Sequence, residues 1–354
     1  MWKLTTKRTS CTLSSENCNS NDGQPPVIEL CHLTRHFGTT CAVDDLSFAV
    51  QGGEVFGFIG PNGAGKTTSM RILATLDVPT RGTARVDGFS VVEDPDRVRR
   101  RLGFMPDNYG TYDRVNCEEY LDFFARAYGL RGNERRAALR RTMGFTQLDR
   151  LAQKPISGLS KGMRQRLCLG RALIHDPSVL ILDEPAAGLD PRARIELREM
   201  IGELASQGKS LLVSSHILTE LAEICDRVAI IEQGRLLAVG SVDEILKGSA
   251  GTSDQSSSTN TVRLQMTILG DLAVARRWLA QKKQIDLSEE SAVAAGKETG
   301  KPDNLLQFEF PDDEMAQSEL LAEMIRAGIR VSSFACQQRS LEDVFLSVTK
   351  GDVQ

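Results

Sequence analysis

From about residue 27 to residue 247 the chain alternates between short, unbroken apolar runs and longer stretches with helical spacing. Val55 to Ile59, Val179 to Leu182 and Leu211 to Val213 are unbroken, which predicts strands buried on both faces, as in a parallel sheet. Val27 to Leu30 adds a further β-type segment, and Thr67 to Leu76 has the spacing of a helix. This alternation predicts an α/β domain over 27–247. Arg227 to Glu232 and Arg235 to Ala238 flank Gln233-Gly234, where glycine accepts a positive φ, so the two segments are predicted to pair as a hairpin.

The pattern fades at both ends of this domain. Residues 1–26 are rich in Ser, Thr and Asn and close on Pro25-Pro26, a composition that predicts a disordered tail. Residues 248–261 read GSAGTSDQSSSTNT, a flexible linker. Beyond it, strand signals at Val262 to Ile268, Leu305 to Phe310 and Ile329 to Phe334 alternate with helical runs at Leu272 to Gln281, Glu314 to Ala327 and Leu341 to Val348. With a short apolar segment near Ile285 and a polar loop from Ser288 to Asp303, these predict a small α+β domain over 262–350 of split β-α-β, ferredoxin-like kind.

Composition narrows the function class. A chain of 354 residues suits about two domains. A net charge of −4, with no basic excess in either part, argues against a nucleic-acid partner. No apolar run approaches the roughly 18 residues that cross a bilayer, and polar sequence follows Lys3, Lys7 and Arg8, so a cytoplasmic protein is expected. The eight cysteines form no CxxC pair, which speaks against disulfides or a zinc site.

Gly60 to Thr68 reads GPNGAGKTT and satisfies GxxxxGK[ST] directly after a strand signal and directly before a helical one. Gly60, Gly63 and Gly65, with Pro61, Asn62 and Ala64 between them, would aim backbone N–H groups at phosphate oxygens. Lys66 would add a point charge for the β and γ phosphates, Thr67 a hydroxyl for Mg²⁺, and Thr68 a further phosphate contact. VLILDE delivers Asp183 to the carboxyl end of a strand, where it can hold Mg²⁺. Glu184 follows as a candidate general base for an attacking water. ATP and Mg²⁺ are the implied cofactors.

Between these motifs stand LSKGMRQRL (159–167) and GRALIHDPSVLILDEPAAGLD, ending at Asp190. Ser160 precedes the helical run Lys161 to Ile174 and is a good N-cap at a positive helix end. Together with the phosphate loop, this segment resembles the nucleotide-binding subunit of an ATP-binding cassette (ABC) transporter, over about residues 27–247. Leu159, Ser160 and Gly162 match the LSGGQ signature of that family, while Lys161 and Met163 replace a Gly and the Gln. The LSKGM variant resembles exporters with a type-2 class membrane partner, including those of the daunorubicin-resistance kind. The chain's QQRSLEDVFLSVT ending resembles an extension common in those ATPases.

The resemblance implies a P-loop NTPase cassette: a RecA-like core with a mixed sheet, an antiparallel β subdomain and a helical subdomain. It implies two copies, or one copy and a homologous ATPase subunit, closing head to tail on two ATPs. Each γ-phosphate is then held by Lys66 of one copy and by Ser160 and Gly162 in the signature, Leu159 to Gly162, of the other, with Lys161 adding positive charge close by. It further implies a separate permease partner and a peripheral position on the inner face of the cytoplasmic membrane. By the same resemblance Phe37 stacks on adenine, His216 contacts the γ-phosphate and the attacking water, and Asp190 belongs to a loop linking the two sites. The local alternative for Asp190 is an N-cap before Pro191.

Asp107, in GFMPDNYG, stands where the family's lid carries Gln, and it cannot donate as an amide does. His32, His36 and His175 are read as structural. Arg97 to Arg101, and Arg131, Arg135, Arg136, Arg140 and Arg141, are either solvated helix faces or contacts to a membrane subunit or anionic lipid. Two alternatives stay open: a soluble ABC ATPase, which would be expected to carry a second cassette, a coiled coil or a zinc module, and a regulatory subunit with weak hydrolysis, which Glu184 argues against.

Overall fold

The computed structural model describes residues 25–107, 110, 115–217, 221, 223–246, 261–280, 304–311 and 313–337. The expected tail up to residue 24, the linker up to residue 260, the apolar segment near Ile285, the loop at 288–303 and the helix at Leu341 to Val348 lie outside these, while Thr261, expected in the linker, begins a strand. The chain forms two compact units, one running to His216 and including 231–236, the other made of 217–230 and the residues from Leu237 onward.

In the first unit, β1 (Ile28–Phe37) and β2 (Thr40–Val50) are antiparallel, with Ile28 opposite Val50 and Phe37 opposite Thr40. β3 (Val55–Ile59) then leads to α1 (Lys66–Leu73). β4 (Arg81–Val86) returns antiparallel to β1, and β5 (Phe89–Ser90) pairs with β4, giving the order β2-β1-β4-β5. α2 (Pro95–Arg101) precedes β6 (Leu102–Met105); β7 (Val179–Leu182), α6 (Pro191–Ser206) and β8 (Ser210–Ser215) come later. β3, β8, β7 and β6 lie side by side and parallel. Every residue of β3, β7 and β8 is buried, as the unbroken apolar runs predict. Phe48 of β2 joins the two sheets by stacking on Phe56 at 5.2 Å and packing on Phe58 at 5.3 Å.

Between β6 and β7 stand three helices, α3 (Cys117–Ala127), α4 (Gly132–Phe145) and α5 (Lys161–Leu173). The helical pattern from Glu118 to Leu148 reads as one region, but the chain breaks it at Gly129 and Gly132, both at positive φ. Asn116 and Glu119 form a reciprocal capping box at the start of α3. Cys117, Tyr120, Leu121 and Ala125 then face a core shared with Leu139, Met143, Leu159 and Leu167. At Gly170 of α5 an added Cβ would lie 3.2 Å from Thr142 and 3.4 Å from Leu121, so the three helices cross closely there. The basic α2 is paired at home: Arg97 with Asp94, Arg99 with Asp96, and Arg101 with Asp87. That favours a solvated face over a docking surface for α2.

β9 (Arg227–Glu232) and β10 (Arg235–Ser241) carry the predicted turn, with Gln233 at φ 48° and Gly234 at φ 81°. Two positive φ values in succession are what a type I′ hairpin requires. Its tip, 231–236, belongs to the first unit. In the second unit, α7 (Val242–Leu246) ends before the linker. Then come β11 (Thr261–Leu269), α8 (Leu272–Ala280), β12 (Leu305–Pro311), α9 (Glu314–Arg326) and β13 (Arg330–Gln337). β11 lies between β12 and β13 and is antiparallel to both, with Leu264 opposite Phe308 and Cys336. These are the positions of the first, third and fourth strands of a ferredoxin-like sheet. Leu264, Met266, Ile268, Phe308, Leu320 and Met324 form a core of their own. No helix among the described residues is long and apolar enough to cross a membrane.

His175 follows α5 and is structural, as expected. Its ring stacks on Tyr128 at 3.7 Å, its Nε2 lies 3.2 Å from the Leu102 carbonyl, and its Nδ1 is buried without a hydrogen bond. Burial pushes its pKa down from 6.5 to about 4. The unfolded chain therefore takes up this proton first, and the stability that His175 contributes is lost as pH falls from 6.5 to about 4. Calorimetric unfolding should show this acid loss, and His175→Phe, which keeps a ring on Tyr128, should flatten it over the same window.

Candidate functional site

The loop from Gly60 to Gly65 is shaped by what presses on it. Gly65 sits at φ 99°, and an added Cβ there would lie 2.5 Å from the Ala42 carbonyl; at Gly60 it would lie 2.4 Å from the Ile231 carbonyl. No side chain fits between β2 and the hairpin tip, so the backbone itself forms the cradle. The tip is tied in by Gly234 N–H donating to Ala64 O at 3.0 Å and Asp44 N–H donating to Gly234 O at 2.9 Å. α1 begins at Lys66 and turns its positive end toward the loop. Lys66 is only 5% exposed. Its Nζ donates to Gly60 O at 2.6 Å and Pro61 O at 3.2 Å, and lies 3.4 Å from Glu184 Oε1.

The fully buried β7 delivers Asp183, itself fully buried, and Asp183 N–H continues the pairing by donating to Met105 O at 2.8 Å. Asp183 Oδ1 accepts from the Ser214 hydroxyl at 2.7 Å, while Oδ2 is buried and has no hydrogen bond. Burial raises the Asp183 pKa; the Ser214 and Thr67 hydroxyls pull it down, and the charges of Glu184 and Asp107 push it up again. A buried carboxylate oxygen without a partner, close to a threonine hydroxyl, fits a hard divalent cation such as Mg²⁺. Glu184 adopts φ 49°, uncommon for a residue with a side chain. Its N–H donates to Ser214 Oγ at 2.9 Å, and its Oε2 lies 2.7 Å from His216 Nδ1. One buried hydroxyl thus accepts from the backbone of Glu184 and donates to the side chain of Asp183.

A phosphate cradle, a cation-ready aspartate and a glutamate set between lysine and histidine are the parts that nucleotide hydrolysis requires. The comparisons agree. The family model described as ABC transporter matches residues 43–187. The chain is 35% identical over 326 residues to the daunorubicin/doxorubicin resistance ATP-binding protein DrrA of Streptomyces peucetius, a match spanning 91% of this chain and 92% of that protein. This chain belongs to the ABC transporter ATP-binding (ATPase) family. It is also 38% identical over 233 residues to the probable multidrug ABC transporter ATP-binding protein YbhF of Escherichia coli (strain K12), where the match spans 66% of this chain but only 40% of the relative's length. Among solved structures, an ATP-binding subunit of an ABC transporter matches with a TM-score of 0.58 at 32% identity, covering 64% of this chain and 95% of that one.

The ABC signature lies at the start of α5. Ser160 caps the helix, accepting from Met163 N–H at 3.3 Å, and is exposed. An added Cβ on Gly162 would touch Ala193 at 3.3 Å, and one on Gly188 would collide with Lys161 Nζ at 2.3 Å, so the signature packs on the loop that ends at Asp190. Leu159, at 4% exposure, belongs to the core of the helical subdomain and anchors the signature. Asp190 is an N-cap, accepting from Ala193 N–H at 2.8 Å before Pro191. Phe37 is 47% exposed at the end of β1, with the Arg35 guanidinium 4.4 Å from its ring centre, which excludes core packing. Exposed Asp107 follows β6, close enough for its charge to act on Asp183.

The structure therefore gathers Gly60 to Thr68, Asp183, Glu184 and His216. No hydrogen bond or ion pair among the described residues joins Ser160, Lys161 or Gly162 to Lys66 or Glu184. Sequence reading missed Ser214, whose signal was a polar residue inside a buried strand, two positions before His216. Ser214→Ala should lower kcat for ATP by about ten- to a hundredfold, while Ser214→Thr, which keeps the hydroxyl, should lose less. Equilibrium binding should show ATP affinity nearly unchanged, because the cradle and Lys66 are untouched.

Proposed function

We propose that this chain hydrolyses MgATP at sites shared between two copies and so powers export through a separate membrane permease of the type-2 class. The observation that carries the hydrolytic part is Glu184, held 2.7 Å from His216 Nδ1 and 3.4 Å from Lys66 Nζ beside the phosphate cradle. Similarity to a drug-resistance ATP-binding protein along 91% of the chain supports the export part. It also supports a peripheral position on the inner face of the membrane, held there by the permease. The domain reading consistent with both is a cassette over 27–247, a linker over 248–261 and an appended module over 262–350.

In this reading the Gly60 to Gly65 backbone and Lys66 bind the β and γ phosphates, Thr68 adds a phosphate contact and Phe37 offers its ring to adenine. Thr67 and Asp183 hold Mg²⁺, which when bound neutralises charge building on the phosphate oxygens. Nucleotide phosphates draw Lys66 off the carbonyls of Gly60 and Pro61 and away from Glu184. Glu184 then accepts the proton of the water that attacks the γ-phosphorus as the bond to ADP breaks, and His216 keeps the carboxylate oriented. Ser160, Lys161 and Gly162 at the positive end of α5 supply the second wall of the site of the other copy, and Asp190 lies where the two sites adjoin. The intact Glu184 constellation favours hydrolysis over a purely regulatory role.

Glu184→Gln should lower turnover by about 10²- to 10⁴-fold yet keep MgATP binding and accumulate an ATP-dependent dimer in light scattering. Normal turnover in that variant would refute the mechanism. Asp107→Gln should stay active but need more Mg²⁺ to reach half-maximal rate, since one negative charge that draws a cation toward Asp183 is gone; a magnesium titration of the ATPase rate measures this.

A further inference from the structure

The turn that carries Glu184 is also held from the signature helix. Gln165 of α5 is 3% exposed, and its Nε2 donates to the Pro185 carbonyl at 2.9 Å. Its Oε1 is buried and has no hydrogen bond. A buried amide with its acceptor unmet costs stability that an apolar side chain of the same size would not, so packing alone does not favour glutamine here. Pro185 directly follows Glu184, whose positive φ the backbone would not choose unaided. Ser214 holds the N–H on one side of this turn and Gln165 the carbonyl on the other. The two anchors differ in origin. Ser214 belongs to the buried β8, whereas Gln165 sits five residues, about 7.5 Å of helix rise, from Ser160. The neighbouring Arg166 ties the same helix to Gln147 at 2.9 Å and to Glu196 of α6.

We infer that Gln165 is a positioning residue that couples the signature end of α5 to Glu184 of the same copy. It rests on the composite-site reading above. Engagement of Ser160 by the nucleotide held on a second copy shifts α5, and Gln165 passes that shift to the turn bearing the base of this copy's own site. Hydrolysis at one site then depends on ATP at the other, and the rate rises sigmoidally with ATP.

Two variants test this in the full-length protein. Gln165→Met keeps length and removes the donor; Gln165→Glu keeps shape and donates only when protonated. Both should lower kcat by about tenfold, leave the ATP dissociation constant within about twofold, and turn the ATP dependence hyperbolic. Gln165→Glu should recover part of its rate relative to wild type between about pH 8 and pH 6, because burial raises a carboxyl pKa toward that range, and Gln165→Met should not. If Gln165→Met fails to fold, Gln165→Glu carries the test through its own pH profile. A hyperbolic wild type overturns the inference. So do variants that match a sigmoidal wild type in kcat and steepness, or whose ATP affinity falls in step with kcat. The composite-site reading fails separately, through ATPase activity per chain that stays constant where only monomer remains.

Discussion

The hydroxyl of Ser214 between two acidic residues is the contact on which the rest of this site depends. Asp183 is fully buried and raised in pKa by that burial, and the hydrogen bond it accepts from Ser214 offsets part of the cost of burying its charge. Glu184 stands in a left-handed conformation that places its carboxylate toward Lys66 and His216, and its backbone N–H is held by the same hydroxyl. Strain of this kind persists only where the surroundings over-determine it. Here the surroundings are β7 and β8, both wholly buried, so the hydrophobic sheet supplies the rigidity that the polar turn spends.

The same logic explains why the phosphate loop is tight. Its glycines face the carbonyls of Ala42 and Ile231 from two sides, and the hairpin tip hydrogen-bonds back to Ala64. The antiparallel sheet thus forms one wall of the cradle, locked to the core by Phe48 on Phe56 and Phe58. The site is preorganised on the side of Lys66 and Glu184, and among the described residues no hydrogen bond or ion pair links it to the signature. The signature residues lie at the start of a helix elsewhere on the surface, the arrangement that the proposed second copy would complete.

Local rules made much of this readable in advance. The phosphate loop, the Asp183-Glu184 step, the buried strands and the Gln233-Gly234 turn all announce themselves because backbone geometry or unbroken burial dictates their residues. The break between α3 and α4 escaped notice because glycines at 129 and 132 interrupt a run whose apolar spacing continues across them. Leu159 matches the signature by resemblance, and its side chain serves the core of the helical subdomain. Ser214 and Gln165 could not be assigned from sequence, because their meaning lies in partners 30 and 20 residues away.

The central claim is that one copy holds half a site. The direct measurement is specific ATPase activity at saturating MgATP as protein is diluted from the micromolar into the low-nanomolar range, with light scattering reporting the dimer. The account predicts that activity per chain falls as the dimer dissociates and is restored on concentration. Activity per chain that stays constant where only monomer remains would contradict it.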